Sequence, residues 1–177
     1  MTQSPPKSKI VNVAEIPDLS PIAENAINVL IKTWPHFDHI LTEWLILISE
    51  MPQDIGRILI GRMETKTKLD RLKDISKHLG RDADVKTIAQ ISRSHEHFSK
   101  IRNAVAHCPI IGMNPDHPLE VLFVESRFVK GRRDLVDVSS IRLERITAAA
   151  GFASRTIGII MRVLSQAQPT KFPLLPK

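Results

Sequence analysis

The sequence predicts an all-α chain, an up-and-down four-helix bundle with one β-hairpin inserted before the last helix. Three observations carry this. Apolar residues recur at spacings of three and four through four long regions. The period changes to two in one stretch, at about 119–138. Prolines and glycines fall mainly at the borders of these regions. A chain of 177 residues suits a single domain, expected over 20–167. Residues 1–19, with Pro5, Pro6 and Pro17, read as a flexible N-terminal arm, and 168–177 as a Pro-rich tail.

The first helical region opens at Ser20, a capping residue, with Pro21 in the first turn, where its missing donor costs nothing. Ile22, Ala26, Val29 and Leu30, then Phe37, Leu41, Trp44, Leu45 and Ile48, form its apolar stripe. Pro35 should kink or divide it. The second region, about 54–79, puts Met63, Leu69, Leu72, Ile75 and Leu79 on one face, with a short break near Gly61 and a stop at Gly80. The third, about 83–107, carries Ile88, Ile91, Phe98, Ile101 and Val105 and should end at Pro109.

"LEVLFVESRFV", "KGRRD" and "LVDVS" then read as strand, turn and strand. The last helix is expected from Ser139 or Ser140 to about Ala167, burying Ile141, Ile146, Ala149, Phe152, Ile157, Ile160 and Leu164.

The balance of 42% apolar and 25% charged residues is that of a soluble globular protein. A formal charge of +6 and a pI near 9.7 favour a polyanionic partner, nucleic acid first. With Cys108 as the one cysteine, no intrachain disulfide can form, and a reducing compartment is expected. "MTQSPPKSKI" lacks the apolar run of a signal peptide, and "WLILIS" and "IGIIM" are too short to cross a bilayer. The expected setting is cytoplasmic, with no membrane partner.

Chemistry concentrates at the end of the third region, "KIRNAVAHCP". At 100° per residue, Arg102 sits on the shoulder of the apolar stripe, Asn103 one step further round, and His107 roughly opposite. Glu96, Lys100, Asn103 and His107 share a second line along the helix. The three residues therefore spread over a flank, which favours a composite site across an interface over a compact one within a chain. The plain alternative is a polar helix end, where a histidine near the C-terminus gains ~0.3–1 kcal/mol from the helix dipole.

Other clusters carry less. His95, Glu96 and His97 in "SHEHF" point in different directions on a helix, so no metal site is expected. Cys108 is next to His107 in sequence but is not thereby oriented for proton transfer. Arg132 and Arg133 form the densest basic cluster, a solvated turn or a contact to RNA backbone. No glycine-rich phosphate loop, serine-nucleophile elbow or zinc-ribbon spacing is present, and no cofactor is expected.

"IRNAVAHC" resembles the RNxxxH signature of the HEPN superfamily (higher eukaryotes and prokaryotes nucleotide-binding domains), with Arg102, Asn103 and His107 at the motif positions. "RMETKTKLDRLKDI" is similar to an M-x-x-K-x-K-L-x-x-L stretch of related proteins, and the resemblance covers about 20–167. It implies a four-helix domain that dimerises with two motifs facing across a cleft. Many such proteins are metal-independent endoribonucleases of toxin–antitoxin, anti-phage or RNA-processing systems. The implied partners are a second copy, RNA, and a cognate antitoxin or nucleotidyltransferase-like protein.

On this resemblance His107 is the acid/base group, Arg102 holds the scissile phosphate, and Asn103 orients one or the other. Glu96, Lys100, Arg132 and Arg133 are candidate binding residues beside them. The alternative within the same fold is a non-catalytic dimeric module that binds nucleotide, RNA or a protein partner.

Overall fold

The computed structural model describes residues 9–126 and 135–167. Among these lie β1 (Lys9–Asn12), α1 (Pro21–Ile48), α2 (Gln53–Ile60), α3 (Thr65–His78), α4 (Asp82–His107), β2 (Ile110–Asn114), β3 (His117–Ser126), β4 (Leu135–Arg142) and α5 (Leu143–Ala167). The chain is mostly helical, as its periodicity predicts. It divides into two compact units, 1–31 with 99–150 and 32–98 with 151–177.

The first unit holds a four-stranded antiparallel sheet of order β1-β4-β3-β2, where a lone hairpin was expected. Two strands escape the sequence pattern because they are short. β1 is the four-residue "KIVN" inside the expected arm, and β2 is the glycine-broken "IIGMN". The start of the last helix also shifts. Ser139, Ser140 and Ile141 pair with Phe123, Leu122 and Val121, so they extend β4, and α5 begins only at Leu143. Val121 and Phe123 are fully buried. Leu122 and Val138, which by the pleat point the other way, pack with Val11, Ile16 and Ile111.

Gly112 fixes how residues 16–17 meet β2. Its φ is +140°, and an added Cβ would overlap the carbonyl oxygen of Pro17. That same oxygen accepts the Met113 N–H at 2.9 Å. Only glycine combines this backbone conformation with so close an approach.

In the same unit α1 starts as its sequence predicts. Pro21 is its first residue, and Ser20 Oγ accepts the Ala23 N–H at 3.2 Å. Ala23, Ala26, Ile27 and Leu30 are buried, whereas Ile22 and Val29, expected on the buried stripe, are 72% and 40% exposed.

In the second unit α1 passes through Pro35 without a break. Pro35 is exposed, so the carbonyl it leaves without a donor is on the wet side of the helix. Trp34, Phe37, His95, Phe98 and Phe152 form an aromatic cluster, with Phe37 edge-on to Phe152 at 5.6 Å and Phe98 stacked on Phe152 at 5.2 Å. The expected break near Gly61 separates α2 from α3, and Gly80, at φ +67°, follows the end of α3.

Two charged groups are buried here with partners. Lys68, fully buried, donates to Asp38 Oδ2 at 2.6 Å, while Thr65 Oγ1 donates to Asp38 Oδ1 at 2.7 Å. Glu43 accepts from Arg57 Nε at 2.9 Å and from Gln53 Nε2 at 3.0 Å.

α5 is the one described helix long and apolar enough to cross a membrane, although no uninterrupted apolar run in the sequence reaches that length. Core helices pass the same test, and Ile146, Phe152, Ala153, Ile160 and Leu164 of α5 are buried within the protein.

Candidate functional site

α4 buries Ile88, Ile91, Ile101 and Val105 on one side, which leaves the rest of its circumference available for polar residues. Its C-terminus is held firmly. Cys108 N–H still donates to Ala104 O at 2.9 Å, Pro109 cannot continue the helix, and Pro109 O accepts the Val124 N–H at 2.9 Å. β2 begins at Ile110. His107, the last helical residue, therefore sits two residues from a strand-bonded carbonyl, on an anchored turn.

The structure brings Arg102, Asn103 and His107 together within one chain. Arg102 Nη1 donates to Asn103 Oδ1 at 3.0 Å and lies 3.4 Å from His107 Nε2. The three positions keep to one solvent-facing flank of α4, as expected, and the Arg102 side chain links them. The arginine side chain is long enough to span the arc between its own position and the last turn. A guanidinium has no acceptor, so in the contact with His107 it donates and Nε2 accepts, which requires the ring proton on Nδ1.

The cluster is open to solvent. Arg102 is half-buried, and Asn103 and His107 are exposed. Among the described residues, the Nε–Nη2 edge of Arg102 carries no hydrogen bond. That edge has the fork geometry that binds a phosphate with two parallel N–H···O bonds. The arrangement thus combines a fixed cation, an imidazole nitrogen and an amide on one accessible surface.

The other candidates separate. Glu96 and Lys100 are exposed on earlier turns of α4. Arg132 and Arg133 lie outside the described residues. Cys108 is half-buried with a free thiol. His95 turns inward, its ring centroid 5.8 Å from that of Trp34, and burial is the main cause that lowers its pKa. His97 is exposed and lies edge-on to Phe98 at 5.0 Å. Among the described residues, no group of three or more His, Cys, Asp or Glu side chains has the arrangement of a metal site.

Sequence reasoning missed a second polar group, on the sheet, where Glu120 meets Asn114 and Ser140. Its members come from three strands, and no short motif joins them. Comparison with protein-family models, curated proteins and solved structures finds no match.

Proposed function

We propose that the chain is a metal-independent endoribonuclease of HEPN type that acts as a dimer, with Arg102, Asn103 and His107 as its working residues. The observation that carries this reading is the convergence of Asn103 and His107 on one guanidinium nitrogen of Arg102 at the anchored end of α4.

RNA cleavage through the ribose 2′-hydroxyl needs a proton shuttle and a fixed positive charge beside the phosphate. Arg102 supplies the charge through its Nε–Nη2 edge. His107 supplies the proton shuttle. When a phosphate draws the guanidinium away, Nε2 loses its donor and its lone pair takes the 2′-hydroxyl proton as that oxygen bonds to phosphorus. The proton passes on to the 5′-oxygen as its bond to phosphorus breaks. Asn103 keeps Arg102 oriented from the adjacent position. The net charge of +6 favours a polyanionic substrate.

Dimerisation is the reading's second element. It is supported by apolar side chains left in solvent on α2, where Ile55, Ile58 and Leu59 are 48%, 74% and 56% exposed. The same reading takes the helical part as an up-and-down four-helix bundle. It places the protein in the cytoplasm, in toxin–antitoxin or anti-phage defence, with a cognate antitoxin or nucleotidyltransferase-like protein as partner. These last points rest on the motif resemblance alone.

One observation favours the non-catalytic alternative, a dimeric module that binds nucleotide, RNA or a protein. Nη1 of Arg102 is already engaged by Asn103 and His107, as at a structural helix end. Variants separate the two. Arg102→Ala and His107→Ala should each abolish cleavage of RNA and leave circular dichroism and sedimentation unchanged, since neither residue belongs to the buried stripe. Unfolding or dissociation by either variant would make that residue structural and end the catalytic assignment.

A further inference from the structure

The sheet carries a cavity of about 200 Å³ whose lining includes none of the residues assigned above. Its apolar floor is Val11, Leu122 and Val138, from three different strands. Its polar side is built around Glu120. Ser140 Oγ donates to Glu120 Oε2 at 2.7 Å and Asn114 Nδ2 donates to the same oxygen at 3.1 Å. Asn114 is 7% exposed and is itself fixed, because its Oδ1 accepts the Asp116 N–H at 3.1 Å.

This geometry orients one carboxylate by its Oε2 and leaves Oε1 with an ion pair but no hydrogen bond among the described residues. Oε1 has Arg142 Nε at 3.7 Å, too far for a hydrogen bond. The Arg142 side chain is 66% exposed, and its Nη1 is also 3.6 Å from Glu144, so its charge is shared at the rim. Asp116 adds a second carboxylate to the lining, and His117 is its only basic side chain. In a chain of formal charge +6, a cavity lined this way selects for positive charge.

We propose that the cavity binds a small aliphatic ammonium ion, whose N–H groups donate to Glu120 Oε1 and the Asp116 carboxylate while its carbon chain lies on Val11, Leu122 and Val138. The volume sets the size: at a liquid share of ~30 Å³ per water it holds about seven waters. That is below the ~300–1,000 Å³ of pockets for drug-sized molecules. A butyl-sized amine suits it. Glu120 is ready for the role, since the Ser140 hydrogen bond first, then that of Asn114 and the charges of His117 and Arg142, outweigh burial and lower its pKa below the ordinary glutamate range.

The site does not depend on the ribonuclease reading and is tested without RNA. The full chain, labelled with ¹⁵N, is titrated with n-butylammonium, n-butanol and butanoate at neutral pH, with the amide resonances of Asn114, Glu120 and Ser140 as the readout. Saturable shifts at millimolar butylammonium, with none from butanol or butanoate, are expected. Glu120→Gln should weaken binding by about tenfold or more, the worth of a charge-assisted hydrogen bond. Asp116→Asn, at an exposed turn position, should weaken it too, and it carries the test if Glu120→Gln fails to fold. No saturable shift with the amine, equal shifts with butanol, or unchanged affinity in Asp116→Asn together with a folded Glu120→Gln would overturn the proposal.

Discussion

Arg102 Nη1 stands 3.4 Å from His107 Nε2, five residues along the same helix. The contact makes the guanidinium the partner of the imidazole's lone pair, so it sets the tautomer of the neutral ring. Neutral His107 should therefore carry its proton on Nδ1. Long-range ¹⁵N correlation spectra of the imidazole report this directly. Arg102→Ala should move the population toward the Nε2–H tautomer. A wild-type ring protonated at Nε2 would show that the two side chains do not meet in solution.

The buried pair in the second unit is asymmetric. Lys68 is fully buried, whereas the Asp38 side chain is 31% exposed. Asp38→Ala strands an ammonium away from water and also releases Thr65 Oγ1. It should cost about 3–5 kcal/mol in urea unfolding, the range for breaking a buried pair from one side. Lys68→Met keeps the aliphatic stem and leaves a carboxylate that still reaches solvent and Thr65. It should cost less than half as much. Equal costs would place the charge burden on Asp38 instead.

Gly112→Ala tests the joint between Pro17 and β2. The methyl group must enter space held by the Pro17 carbonyl, at a backbone φ of +140°. A loss of about 2–3 kcal/mol is expected from strain of this kind. An unchanged melting temperature would mean that residues 16–17 do not pack there.

Acid should weaken the second unit through Glu43. Burial, the largest single influence, raises its pKa, but hydrogen bonds from Arg57 and Gln53 and the charges of Arg57 and His39 together outweigh it, so the net shift is downward. A folded pKa below the unfolded one stabilises the fold at pH values above the unfolded pKa. That contribution fades as pH falls from the ordinary glutamate range through the lowered folded value. Glu43→Gln should therefore flatten the acid limb of a plot of melting temperature against pH. A variant with the wild-type slope would remove Glu43 from the account.

The helices were legible in the sequence because their signals are local. Ser20, Pro21, Gly80 and Pro109 each act on one turn, and the structure places helix ends beside all four. The sheet was half legible. Alternation from Leu119 to Val124 marks β3, but β1 and β2 are too short to show a period, and their pairing is a long-range matter. The site was legible as residue types but not as geometry. Backbone angles alone put Arg102 and His107 far apart around α4, and the length of one side chain closes the gap. Glu120, Asn114 and Ser140 were illegible, since only strand register brings them together.

The most direct measurement is RNA cleavage in the presence of a metal chelator, with wild type and His107→Ala side by side. On the proposed mechanism, in which Nε2 of His107 is the base toward the 2′-hydroxyl, wild type alone cleaves, leaving 2′,3′-cyclic phosphate ends. Equal cleavage by both proteins, or wild-type products with linear 3′-hydroxyl ends, would contradict it and return His107 to the role of a helix end.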